Sequence, residues 1–137
     1  MLSRLPFWAA ALWWGSLSTI GFLVVPLLFA TLPSPTLAGQ MAARLFSAQT
    51  WVSCVCALLL LMSSRQNQAL TPVPAAHAAI IYIVSGMLLA ALAEFAVAPR
   101  IVARENLRLW HSVGSAMYLL QWLCAGVTFW KLTPQRS

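Results

Sequence analysis

Charge is scarce in this chain. Charged side chains make up 7% of its 137 residues, and acidic ones number two, Glu94 and Glu105. Soluble domains carry about 25% charge, and a small domain leaves much of its surface exposed. A sequence that is 61% hydrophobic could not hide its apolar surface in water, so the scarcity of charge excludes a water-soluble fold. Cysteine is equally uninformative for a scaffold. Cys54 and Cys56 fall in one apolar run and would point about 200° apart on a helix, and Cys124 stands alone in another run. Three such thiols make neither a disulfide framework nor a metal-binding spacing. Also absent are a hydrolase elbow, a phosphate loop, a zinc-binding HExxH and a dinucleotide fingerprint. No catalytic residue is assigned, and an enzyme has no positive support. Period-two alternation is missing as well, and open strands in lipid would leave unpaired edges.

Four long apolar runs are present. Residues 7–32, 45–64, 75–93 and 109–130 carry no charged side chain, and about 20 residues suffice for a helix to cross the hydrocarbon. The pattern predicts an all-α integral membrane fold, a four-transmembrane-helix bundle. It is one domain over 1–137, with spans near 7–32, 41–64, 75–98 and 109–131. Pro33 and Pro35 end the first helix, Thr36 is placed to cap the second, and Pro99 is expected to end the third. The only polar linker of any length is 63–74, with Asn67, Pro72 and Pro74. Trp110 and Trp130 stand twenty residues apart, which on a helix is about 30 Å, and tryptophan favours both membrane interfaces. The first run is too long for a signal-peptide core, and Gln40 stands where a lipoprotein would need its cysteine, so the first helix is expected to be retained.

The net charge of +6 comes from eight basic residues, Arg4, Arg44, Arg65, Arg100, Arg104, Arg108, Lys131 and Arg136. Nearly all flank apolar runs, where headgroups and water solvate them. No basic stripe interleaves with aromatics, so nucleic acid is not an expected partner. The partner expected from composition is the lipid bilayer. Arg4 before an uncharged first loop favours cytoplasmic termini. Arg100, Arg104 and Arg108 recur every fourth residue and would form one basic face if 99–108 were helical.

With four spans, Arg44, Glu94, Arg100, Arg104, Glu105, Arg108 and His111 share one face of the membrane. Glu94 lies inside the third span, where a charge costs roughly 2.5–3.5 kcal/mol at mid-helix and less near an end. It should face the bundle and find a partner, and Arg44 is the expected one. Arg44, Glu94, Arg100 and His111 thus form a candidate polar cluster that either binds a ligand or pins helices together. On the fourth helix His111, Ser115, Tyr118 and Trp122 share a stripe with Gln121 beside it. On the first, Gly15, Ser18, Thr19, Phe22 and Pro26 share a face, and with Gly21 they are the candidate packing surface. Both stripes read as helix packing or as the lining of a cavity. Pro26 is placed to kink the first helix and free a carbonyl. His77 and His111 begin different helices at opposite membrane faces, so one monomer does not bring both to one metal. His111 alone remains the candidate ligand for haem or a metal ion, and no cofactor is otherwise expected.

Trp14-Gly15, Gly21, Pro26, Leu28-Phe29, Ala38-Gly39, Leu45-Phe46, Pro99-Arg100 and His111 with Tyr118 to Gln121 resemble the bacterial family called domain of unknown function 4149. That family is similar to eukaryotic transmembrane protein 205. A serine expected three residues after the histidine is Gly114 here, with Ser115 adjacent. The resemblance implies a four-helix fold in the bacterial cell (inner) membrane. It implies no reaction, and the eukaryotic relatives' association with metal-drug resistance hints at transport or trafficking. Three roles follow as expectations: a non-enzymatic protein that handles a small ligand or ion, an accessory or assembly subunit among other membrane proteins, and a haem- or metal-binding protein using His111. A pore or carrier built on so narrow a bundle would require a homodimer.

Overall fold

The four apolar runs are helical save for Leu32 at the end of the first, and the other three helices extend beyond their uncharged stretches on both sides. The computed structural model describes residues 4–67 and 73–133, apart from the side chains of 66, 67 and 73–76. Helix α1 is Leu5–Thr31, α2 is Pro35–Asn67 and α4 is Leu107–Leu132. Helix α3 runs from Val73–Leu92 through a π turn at Ala93–Val97 into Ala98–Val102. All four are long and apolar enough to cross a membrane, and the described residues contain no strand. The protein is an all-α membrane protein with a four-helix bundle. Of the expected linker 63–74, residues 68–72 lie outside the described residues, and so does Arg136.

The helix ends follow local chemistry. Proline fits the first turn of a helix because its missing N–H would have had no partner there, and Pro35 opens α2 in this way. Ser34 Oγ then accepts the Leu37 N–H at 3.2 Å. Ser34 is therefore the cap, and Thr36, expected in that role, is already inside the helix. Between α3 and α4 the chain reverses over residues 103–106, with Arg104 at φ 58° and Asn106 at φ 37°. The continuous basic face expected over 99–108 is broken at this reversal, because left-handed residues cannot continue a right-handed helix.

Proline inside a helix is handled the same way twice. The ring clashes with the carbonyl four residues back and supplies no N–H. In α1 a π turn over Ile20–Val24 precedes Pro26, and in α3 the π turn Ala93–Val97 precedes Pro99. Each wide turn begins six residues before its proline. The extra residue gives the ring room, so α3 continues to Val102 rather than ending at Pro99. The Val25 N–H reaches back to the Ile20 carbonyl and the Ala98 N–H to that of Ala93. That leaves the Gly21 and Glu94 carbonyls without their i+4 donors, and at i+5 stand Pro26 and Pro99, which have none to give.

Helix α1 packs against α2 and α4, and α3 against the same two, so α1 and α3 lie across the diagonal of a square. The half of the bundle near the chain termini is solidly filled. Ala9, Ala10, Trp13, Leu17, Cys56, Ala57, Leu60, Ile83 and Ala125 form one buried cluster. Trp13 reaches across the diagonal to α3, where only a glycine leaves room: a Cβ at Gly86 would stand 2.6 Å from its ring. Lipid gives helices no hydrophobic drive to associate, so such close packing carries the assembly. Leu23, Trp51, Leu58, Met62, Phe95, Leu120 and Leu123 are among the large apolar side chains left exposed on the outside, as a lipid-facing surface requires.

Candidate functional site

The other half of the bundle is hollow. A cavity of about 470 Å³ lies among all four helices, between a buried polar layer and the end that carries the 103–106 reversal. Its wall is mostly apolar and aromatic, including Phe22, Phe29, Phe46 and Tyr118. Both π turns contribute to it, through Gly21 and Phe22 on α1 and through Ala93, Glu94 and Val97 on α3. π-Bulges occur frequently at functional sites because they rotate the residues beyond them out of regular register.

The polar layer closes the inner end. Ser16 Oγ donates to the Trp13 carbonyl at 3.0 Å, which commits its only proton. It can then only accept, and Gln49 Nε2 donates to it at 2.9 Å. The same nitrogen reaches Ser53 Oγ at 3.3 Å, and Gln121 Nε2 donates to Ser53 Oγ at 2.9 Å. Gln49, Ser53 and Gln121 are all buried, and Gln49 is 3% exposed. With the amide turned as Ser16 demands, Gln49 Oε1 is left buried without a hydrogen-bond partner. A buried unpaired amide oxygen costs about 1–3 kcal/mol. Gln49 and Gln121 both line the cavity.

Glu94 lines the cavity from α3, half-buried, and its Oε1 accepts the Ser47 hydroxyl at 2.6 Å. The expected Arg44–Glu94 bridge is not formed. Arg44 lies three residues before Ser47, almost a full helical turn, and it is exposed and does not line the cavity. A serine satisfies the carboxylate without bringing a second charge into the membrane, at a much smaller desolvation cost. Arg100 is drawn aside too, its guanidinium 4.6 Å from the centroid of the Trp110 ring, a cation–π arrangement. Arg104 is exposed in the reversal. Among the described residues no lysine or arginine lines the cavity, and its ionisable side chains are Glu94, His111 and Tyr118.

The remaining candidate residues divide between cavity and packing. His111 and Ser115 line the cavity and are otherwise exposed, while Tyr118 donates to the Leu17 carbonyl at 2.6 Å and its ring lies against Gly21. A Cβ on Gly21 would meet that ring at 2.5 Å. Ser18 Oγ accepts the Trp122 indole N–H at 2.8 Å. Gly15 has open space where a side chain would stand, and Thr19 and Pro26 are exposed, so these three do not pack against a neighbouring helix. His77 is exposed and not part of the cavity. Among the described residues no three His, Cys, Asp or Glu side chains converge as for a metal ion. A metal in the cavity would have Glu94 and His111 as its strongest ligands.

Sequence reasoning missed Ser47, Gln49 and Ser53, all on α2, and named Phe46 only as part of the family resemblance. A signal was there: Ala42, Gln49 and Cys56 recur every seventh residue, as do Phe46, Ser53 and Leu60, and polar residues on such an inward stripe belong inside the bundle.

No curated protein and no solved structure matches the chain. The family model described as Domain of unknown function (DUF4149) matches residues 8–109, which takes in α1, α2, α3 and the start of α4. Most of the chain, with both π turns and Glu94, is covered by that match, and the protein belongs to this family.

Proposed function

We propose that this membrane protein holds a small ligand inside its bundle, in the cavity beside Glu94, and that its role is non-enzymatic and related to ligand handling or transport. One observation carries the reading: half of the bundle is packed solid while the other half holds a partly open cavity of about 470 Å³ beside an intramembrane carboxylate. Ligand cavities run to about 300–1,000 Å³, mostly apolar with a few placed polar groups, and intramembrane ionisable residues mark substrate or ion pathways by default. A purely structural role for Glu94 would favour a filled interior, since voids forfeit packing contacts.

Gly39 supplies the test. It lines the cavity, and a Cβ there meets nothing within 4 Å. Gly39→Phe should accumulate and fold normally yet abolish ligand binding or flux by occupying the space. Binding unaffected by Gly39→Phe removes the cavity from the function. Glu94→Gln should likewise alter binding or flux at normal protein levels, and a variant that only lowers folded yield would mark Glu94 as structural. The setting that fits is the bacterial cell membrane, with the termini on the cytoplasmic side, supported by Arg4 ahead of α1 and an uncharged first loop.

A further inference from the structure

We infer that the ligand is a small organic cation, a protonated amine on an apolar or aromatic body. This rests on the ligand-holding reading and goes beyond it by naming the ligand's chemistry. The cavity offers a charged acceptor. Glu94 contributes the only carboxylate within the four spans, since the chain's other acidic residue, Glu105, lies in the 103–106 reversal. Its partner is a neutral hydroxyl, and no basic side chain pairs with it among the described residues.

Of the side-chain donors in the lining, those of Gln49, Gln121, Tyr118 and Thr50 are already engaged, which leaves an anion only His111 and Ser115. Gln49 and Gln121 direct their amide protons into the polar layer. Tyr118 gives its proton to Leu17, and Thr50 gives its own to the Phe46 carbonyl. The arginines of the same face stay out of the lining, and Arg100 is held over Trp110. Phe22, Phe46 and Tyr118 supply aromatic wall. Phe46 and Tyr118 meet edge-to-face at 5.3 Å, which holds both rings in place. Aromatic faces attract cations, more strongly when water is excluded. A bare metal ion is poorly served by such walls, whereas an ammonium on an apolar body uses the carboxylate and the walls together.

The experiment compares four probes of one skeleton on the detergent-purified protein by equilibrium dialysis against empty micelles: phenylbutylamine, its trimethylammonium analogue, phenylbutanol and phenylbutyrate. The amine should bind tightest and phenylbutyrate weakest, an order that needs no variant. Glu94→Gln should weaken the amine about ten- to hundredfold, as loss of a charge-assisted bond does. The trimethylammonium analogue, which keeps the charge and the body but has no N–H to donate, should bind between the amine and phenylbutanol. Phenylbutanol or phenylbutyrate binding as tightly as the amine would overturn the cation assignment while leaving a ligand-holding cavity. So would a phospholipid that native mass spectrometry finds retained and the amine cannot displace. Failure of every probe, in wild type and Gly39→Phe alike, would remove the ligand-holding reading itself.

Discussion

Replacing Gly86 with alanine tests whether the packed half of the bundle is built as described. The new Cβ would lie 2.6 and 2.7 Å from Trp13 Cη2 and Cζ2, and 3.3 Å from Cys124 Cβ. Carbon atoms pack best at about 3.5–4.0 Å, so the ring or the helix must give way by about 1 Å. Trp13 has nowhere to go, being 0% exposed and seated in the core cluster with Leu17, Leu60 and Ile83. Overpacking of this kind costs about 1–3 kcal/mol, against a helix-propensity gain of about 1 kcal/mol for Gly→Ala. Gly15→Ala has the same propensity gain and meets nothing within 4 Å. The two substitutions should therefore differ by about 1–3 kcal/mol, with Gly86→Ala the less stable. Stability is read from reversible unfolding in mixed micelles by circular dichroism. Trp13→Phe should partly rescue Gly86→Ala, since it removes the offending ring atoms and the Trp13 Nε1 it discards has no hydrogen-bond partner. The rescue appears as a favourable coupling in the double-mutant cycle. A Gly86→Ala protein as stable as Gly15→Ala would refute the diagonal contact between α1 and α3.

Ser53→Ala strips the acceptor from Gln49 and Gln121 together and should destabilise by about 1–3 kcal/mol in the same unfolding assay; Ser63→Ala, which loses only a bond to the Leu59 carbonyl of its own helix, should be near neutral. Tyr118→Phe removes the bond to the Leu17 carbonyl and should cost about 0.5–1.5 kcal/mol, with the midpoint of unfolding as the measurement. Arg104 sits at φ 58° in the reversal, where a side chain costs about 1–2 kcal/mol. Arg104→Gly should therefore raise stability by about 0.5–1 kcal/mol, and no gain would argue that the reversal is shaped differently. Cysteines placed at Arg4 and at Ser34, in a variant lacking the three native thiols, should be shielded and reactive respectively toward an impermeant maleimide added to intact cells. The opposite pattern would reverse the orientation.

How far the sequence could be read depended on how local the physics was. The four spans were legible because crossing hydrocarbon demands about twenty residues without charge, and no tertiary contact can relax that demand. The membership of the polar end was legible too, since four spans place Glu94 and His111 on the same face. The partner of Glu94 was not. Arg44 and Ser47 are less than one turn apart on α2, and choosing between them depends on how α2 is rotated against α3 and on what charge burial costs there. The fate of Pro99 was misread for a related reason. A lone proline reads as a stop, and whether the chain instead widens into a π turn depends on what the following residues, Ile101 and Val102 in the cavity wall, gain by staying helical.

By itself, then, the sequence determined solvent, element type, number of spans and the end at which polarity collects, because composition and length answer to the bilayer alone. The tertiary structure decided that one half of the bundle is filled and the other hollow, that Glu94 meets a serine, and that Gln49 is left with an unpaired oxygen. Those outcomes turn on rotations of whole helices about their axes, set by a few contacts such as Trp13 against Gly86 and Tyr118 against Gly21. A rotation of one residue's worth carries a side chain from the cavity to the lipid, and no single helix contains the information to choose it.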